Sequence, residues 1–194
     1  MKSIFDFIVE PVGQRYNNEV KVGDKSLIIN TQSESFKSVN NIARVIATPK
    51  AYKTPIKPGD LIMIHHNVFR RWFDVRGVER NSGSYIDEDK YIVAPDQLFA
   101  YKQNGKWHCP NMYCFVEPLK NEDIWSTESE QKLLGKLTYT NDYLASLGLS
   151  YGDVVGFTPD SEYEFNIDDK KLYRILSTDI TINYGHKKET RTYS

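Results

Sequence analysis

The sequence predicts an all-β protein made of two similar halves. Short runs rich in β-branched and aromatic residues recur along the whole chain, Gly, Pro, Asn and Asp separate them, and helical spacing of apolar residues is scarce. In the first half the runs are Phe5 to Val12, Ser26 to Asn30, Ile42 to Thr48, Asp60 to His66, Arg71 to Arg76, Ser84 to Ile86, Tyr91 to Val93 and Leu98 to Lys102. A second series runs through Met112 to Pro118, Gly135 to Thr140, Asp153 to Thr158, Tyr163 to Asn166, Lys171 to Ile175 and Thr181 to Tyr184. The best helical stretch, Ile124 to Leu134, contains Ser, Thr and Gln and predicts no more than a short turn or loop.

The turns between these runs have a chemical rationale. Pro58-Gly59-Asp60 and Tyr151-Gly152-Asp153 each place Gly, for which positive φ is cheap, just before an apolar run, and each reads as a tight strand entry. Asp87-Glu88-Asp89 and Asp168-Asp169 have the acidic composition of hairpin tips, where Asp side chains cap their own backbone.

Set side by side, the two series form an internal duplication. Phe7-Ile8-Val9-Glu10-Pro11-Val12 matches Phe115-Val116-Glu117-Pro118-Leu119, and the Gly-Asp entries match in the middle. Ile86-Asp87 matches Ile167-Asp168, and Asp96-Gln97-Leu98 matches Asp179-Ile180-Thr181. The order is kept, while the separation between matched residues shrinks from Pro11 and Pro118 to Gly59 and Gly152 to Ile86 and Ile167. Loops shorten readily without disturbing strand order, because closure entropy grows slowly with length. Two domains follow, 1–105 and 112–185, joined near Gln103 to Asn111 and followed by a polar tail, 186–194.

Composition bounds the function. The 194 residues carry 25 Lys+Arg against 26 Asp+Glu, a formal net charge of -1, which argues against binding nucleic acid or an anionic membrane through overall charge. No run approaches the roughly 18 apolar residues of a spanning helix. Met1-Lys2-Ser3-Ile4-Phe5-Asp6 meets an acid before a leader-like apolar run develops, so a cytoplasmic protein is expected. Cys109 and Cys114 are expected to be thiols rather than a disulfide.

Catalytic and metal-binding patterns are weak. His65-His66 with His108, Cys109 and Cys114 matches no zinc spacing, since adjacent residues on a strand point to opposite faces. His108-Cys109 are sequence neighbours that do not converge on one reacting atom, the acidic pairs read as solvated hairpin tips, and no phosphate-cradling Gly-rich loop is present. No enzyme activity, metal or cofactor is expected.

The first half resembles the GroES family of co-chaperonins, the small proteins that cap a double-ring chaperonin. The resemblance runs from Phe7-Ile8-Val9-Glu10-Pro11 through a polar segment holding Leu27-Ile28-Ile29 to Ala43-Arg44-Val45-Ile46-Ala47. It continues through Ile56-Lys57-Pro58-Gly59-Asp60-Leu61-Ile62-Met63 and Ser84 to Val93, and ends at Asp96-Gln97-Leu98-Phe99-Ala100. The second half, from Phe115 through Tyr151-Gly152-Asp153-Val154-Val155-Gly156-Phe157 to Ile167-Asp168 and Asp179-Ile180, resembles the same pattern more loosely, as in the double-domain co-chaperonins of plastids.

The resemblance implies two small β-barrels in tandem. It also implies that 13–41 is a mobile loop whose Leu27, Ile28 and Ile29 dock on a GroEL-like apical domain. Burying three aliphatic side chains gives roughly 5–9 kcal/mol gross, much of it offset by ordering the loop, so a ring presenting several loops is needed for a firm cap. The Gly pair that the family places before its triplet is here Lys25-Ser26. An insertion over 65–84 falls where the family has its roof hairpin, placing Phe69, Arg70, Arg71, Trp72 and Phe73 toward an encapsulated client or a neighbouring subunit. Ring contacts are expected at Ser3 to Val9 and Leu98 to Lys102, with ATP used by the partner chaperonin alone. A bacteriophage-encoded version would act in the host cytoplasm on unfolded client protein such as a capsid protein. The alternative is a virion or accessory structural protein that keeps the barrel without chaperonin binding.

Overall fold

The computed structural model describes residues 2–16, 19–22, 25–28, 39–121, 127, 129–168 and 170–186. The chain divides into two compact units, Met1–Lys106 and Trp107–Ser194. Among the described residues both are all-β, with one short α-helix in the second. Among the described residues no helix is long and apolar enough to cross a membrane.

The first unit is built on a seven-stranded antiparallel sheet, whose last strand in the chain runs across the division after Lys106. It contains β1 (Phe7–Pro11), β4 (Ile42–Ala47), β5 (Leu61–Ile64), β8 (Tyr85–Asp87), β9 (Lys90–Val93), β10 (Leu98–Gln103) and β11 (Lys106–His108), in the order β11-β10-β5-β4-β1-β9-β8. Two hairpins stand apart as separate two-stranded sheets: β2 (Glu19–Val22) with β3 (Lys25–Ile28), and β6 (Arg71–Phe73) with β7 (Glu79–Asn81). The second unit is a six-stranded sheet of β12 (Tyr113–Lys120), β13 (Glu130–Tyr139), β14 (Asp153–Phe157), β15 (Tyr163–Ile167), β16 (Lys170–Leu176) and β17 (Ile180–His186), in the order β15-β16-β12-β13-β14-β17. Without β11, the two orders are the same strand for strand.

The match extends to register. Glu10 lies opposite Arg44, and Glu117 opposite Lys136. In both sheets the ladder slips by one residue just before this pair, between Ile8 and Val9 and between Phe115 and Val116. It slips again on the last strand, between Leu98 and Ala100 and between Ile180 and Ile182. Such bulges bend a strand around a core. The cores coincide too: Phe7, Val9, Val45, Ile62, Ile64 and Val93 of the first occupy the positions of Cys114, Val116, Leu137, Val155, Phe157 and Ile175 of the second.

Three expectations need correction. Among the described residues the sheets are open rather than closed barrels: β8 and β11 are the edges of the first and β15 and β17 of the second, and each pairs on one side only. Phe7 to Val9 and Leu98 to Lys102 do not lie on edge strands of the sheet: β1 lies between β4 and β9, and β10 between β5 and β11. Within the expected loop over Ile124 to Leu134, Glu130–Leu134 belongs to β13, and the helix is instead Asp142–Ser146, capped by Asn141, whose side chain accepts from the Leu144 amide.

Candidate functional site

The features that leave the body of the first sheet are its two small hairpins. The β2–β3 hairpin lies in the chain between β1 and β4, with Val20 opposite Leu27 and Glu19 opposite Ile28, and among the described residues it pairs with neither neighbouring strand. Leu27 and Ile28 of the aliphatic triplet therefore sit on β3, whereas Ile29 lies outside the described residues, as do 17–18, 23–24 and 30–38 of the expected loop.

The β6–β7 hairpin is described in full. Its turn follows from Asp74-Val75-Arg76-Gly77-Val78: the Gly77 amide donates to the Asp74 carbonyl at 2.8 Å, and Gly77 takes φ +73, which an L-residue adopts only with strain. The Asp74 carboxylate accepts from the Arg76 amide at 2.9 Å, the Val78 amide at 3.0 Å and Arg80 Nε at 3.1 Å. These bonds, led by that from Val78, hold the Asp74 carboxyl below the usual carboxylate range.

Four hydrogen bonds and a cation–π contact fix the base of this hairpin. Tyr16 Oη accepts from the Arg71 amide at 2.7 Å, and the Arg71 guanidinium lies 4.6 Å from the centre of the Tyr16 ring. Arg15 donates to Asn81 Oδ1 at 2.9 Å and to the Phe69 carbonyl at 3.1 Å, while Ser82 Oγ donates to the Val68 carbonyl at 2.6 Å. Arg71 also pairs with Glu79 at 3.2 Å.

The structure separates the five residues expected on the roof insertion. Phe69 is 0% exposed and packs edge-on against Tyr91 with ring centres 4.8 Å apart, so it belongs to the core that carries the hairpin. Arg71 is half-buried by its contacts with Tyr16 and Glu79. Arg70, Trp72 and Phe73 are exposed, the last two at 51% and 64%. Sequence reading missed Val75, fully exposed at the tip, and Val78 beside it. The Asp-x-x-Gly turn that follows the aromatic run Phe69 to Phe73 was the available signal for both.

His65 and His66 stack with ring centres 4.4 Å apart, and His65 Nδ1 accepts from the Asn67 amide, so their neighbourhood is structural. Burial, with His65 and Arg70 adding to it, lowers the His66 pKa to about 4. Cys109 and Cys114 are free and buried, and burial pushes both thiols up, Cys114 to about 12. Among the described residues no group of three or more metal-ligating side chains converges.

No protein-family model matches this chain, and no curated protein matches it with significant similarity.

Proposed function

We propose that the chain is a co-chaperonin of GroES type, a ring-forming lid that closes a double-ring chaperonin and assists ATP-dependent folding by contact alone. The observation that carries the reading is the placement of the aliphatic triplet. Its first two residues lie on a hairpin inserted between β1 and β4, outside the sheet that holds the core together. A segment so placed is free to engage a partner without unpairing the sheet. The repeated strand order supports a tandem of two GroES-like domains, of which the first carries the docking element.

In this reading Leu27, Ile28 and Ile29 dock in an apolar groove of a GroEL-like apical domain. The β6–β7 hairpin turns Trp72, Phe73 and Arg70 toward an unfolded client, such as a phage capsid protein in the host cytoplasm. ATP is bound and hydrolysed by the chaperonin, and the lid itself needs no cofactor. Each docking loop binds weakly, and a ring raises the effective concentration of the others.

Assembly is the property to test in the isolated chain. Light scattering at micromolar concentration is expected to give a mass several times that of the 22.5 kDa chain. A monomer over that range would remove the multivalency on which the lid depends.

A further inference from the structure

We propose that His186 is a modification site, an acyl acceptor whose Nε2 takes the acyl group of an activated carbonyl compound such as an acyl phosphate or a thioester. The inference goes beyond the lid reading and stands without it, since it concerns one turn of the second unit.

The two copies carry different residues at one position. Leu61 lies opposite Lys102 and Val154 opposite Gly185, so Gln103 and His186, the next residue in each case, occupy equivalent places beside Asp60 and Asp153. Gln103 Nε2 donates to Asp60 Oδ2 at 3.0 Å, and His186 Nδ1 lies 2.5 Å from Asp153 Oδ1. An amide in the first copy is thus an imidazole in the second, set on the same carboxylate. The Asp153 side chain is 7% exposed, and its other oxygen accepts from the Ser150 amide at 2.8 Å and the Ser150 hydroxyl at 3.3 Å. Burial opposes ionisation of Asp153, but these bonds and His186 outweigh it and hold the carboxyl below the ordinary range. An ionised carboxylate only accepts, so the ring proton sits on Nδ1 and the lone pair on Nε2.

That lone pair is accessible. The His186 side chain is 62% exposed, and beside it stands Gly152, where a Cβ would lie 3.0 Å from Nε2. Two other histidines are less suited: His65 Nδ1 accepts from the Asn67 amide, which places that ring's proton on Nε2, and His66 is half-buried with its pKa lowered to about 4 by burial. A metal ion at Nε2 would need further ligands, and among the described residues no group of three metal-ligating side chains converges. A phosphoryl group would need donors for its oxygens, and the Gly152 amide is spent on the Leu137 carbonyl. An acyl carbon needs only the lone pair. Nε2 bonds to the carbonyl carbon, the bond to phosphate or thiolate breaks, and that group leaves with the electron pair. The positive charge that develops on the ring is met by Asp153, through which the Nδ1 proton is then lost to solvent.

The test uses the full chain at pH 7 with diethyl pyrocarbonate as the acyl donor, and follows labelling at each of the four histidines by peptide mass spectrometry. His186 is expected to label faster than His108, which is exposed on β11, and His65 and His66 more slowly than either. Asp153→Asn should slow His186 about tenfold and leave His108 unchanged. An unchanged slow rate at half-buried His66 shows that the variant is folded; where it is not, the comparison of His186 with His108 in the original chain decides alone. His186→Gln, which copies Gln103, should keep the thermal midpoint and remove the fastest label. Labelling of His186 no faster than His108 would overturn the proposal, as would an undiminished rate in folded Asp153→Asn. A chain that binds a chaperonin yet shows no such reactivity would overturn this inference and leave the lid reading standing.

Discussion

Gly59 and Gly152 occupy the same place in the two sheets. The Gly59 amide donates to the Val45 carbonyl and the Gly152 amide to the Leu137 carbonyl, both at 2.8 Å, and the residues take φ +95 and +92. The Asp that follows each closes the same turn: Asp60 accepts from the Lys57 amide at 2.9 Å, and Asp153 from the Ser150 amide at 2.8 Å. Recurrence of one turn at one register position is the strongest local evidence that the halves are copies.

Replacing either glycine by Ala forces an L-residue into a conformation that costs on the order of 1–3 kcal/mol. Gly152→Ala is expected to cost more than Gly59→Ala. A Cβ at 152 would lie 3.0 Å from His186 Nε2, whereas at 59 it meets nothing within 4 Å. Urea denaturation of the two variants, followed by circular dichroism, checks the order.

The two aspartates differ in their surroundings. Burial opposes ionisation of Asp153, yet the Ser150 amide and His186 hold its carboxyl below the ordinary range. A depressed carboxyl contributes stability above the unfolded value of about 3.9 and loses it as pH falls through the folded one. Asp153→Ala should cost about 1–3 kcal/mol by stranding the donors of a buried acceptor. Asp60→Ala, at a more exposed position, is expected to cost less, and denaturation at pH 7 compares them.

His66 gives a second pH signature. Its folded pKa is about 4 against an ordinary 6.5, so the unfolded chain binds the extra proton first. Stability at this site is therefore full above about pH 6.5 and falls as the pH drops toward 4. His66→Gln is expected to flatten the dependence of the urea midpoint on pH between 7 and 5, and an unchanged slope would contradict the assignment.

Phe69 and Trp72, three residues apart, should behave oppositely. Phe69→Ala empties a fully buried site against Tyr91 and should cost about 3–5 kcal/mol. Trp72→Ala removes an exposed ring and should change stability by about 0.5 kcal/mol or less. Thermal melts of the pair separate the core role from the surface role.

Most of the sheet was legible because alternation and turn chemistry act locally. Ile42 to Thr48 and Asp60 to His66 bracket β4 and β5, and the Gly-Asp entries lie where the strands begin. The aligned aspartates misled: Leu98 pairs with Ile64 as Ile180 pairs with Phe157, so Gln97, not Asp96, corresponds to Asp179. The bonds from the His65 amide to the Gln97 carbonyl and from the Thr158 amide to the Asp179 carbonyl make the same match. β11 was read as linker although Asn104-Gly105, at φ +51 and +78, is a hairpin signal. The helix Asp142–Ser146 is too short to show a period, and only its cap Asn141 marked it. At the hairpins, residue type suggested interaction surfaces, but the burial of Phe69 and the exposure of Val75 depend on tertiary packing that no local pattern encodes.

The central claim is that Leu27, Ile28 and Ile29 join this chain to a chaperonin. Its most direct test is co-elution with a bacterial double-ring chaperonin, with and without nucleotide, beside a variant carrying Leu27→Ser, Ile28→Ser and Ile29→Ser. The account predicts a complex that forms with nucleotide and is absent in the variant. A folded chain that never co-elutes, or a variant that binds as well as the original sequence, would contradict it.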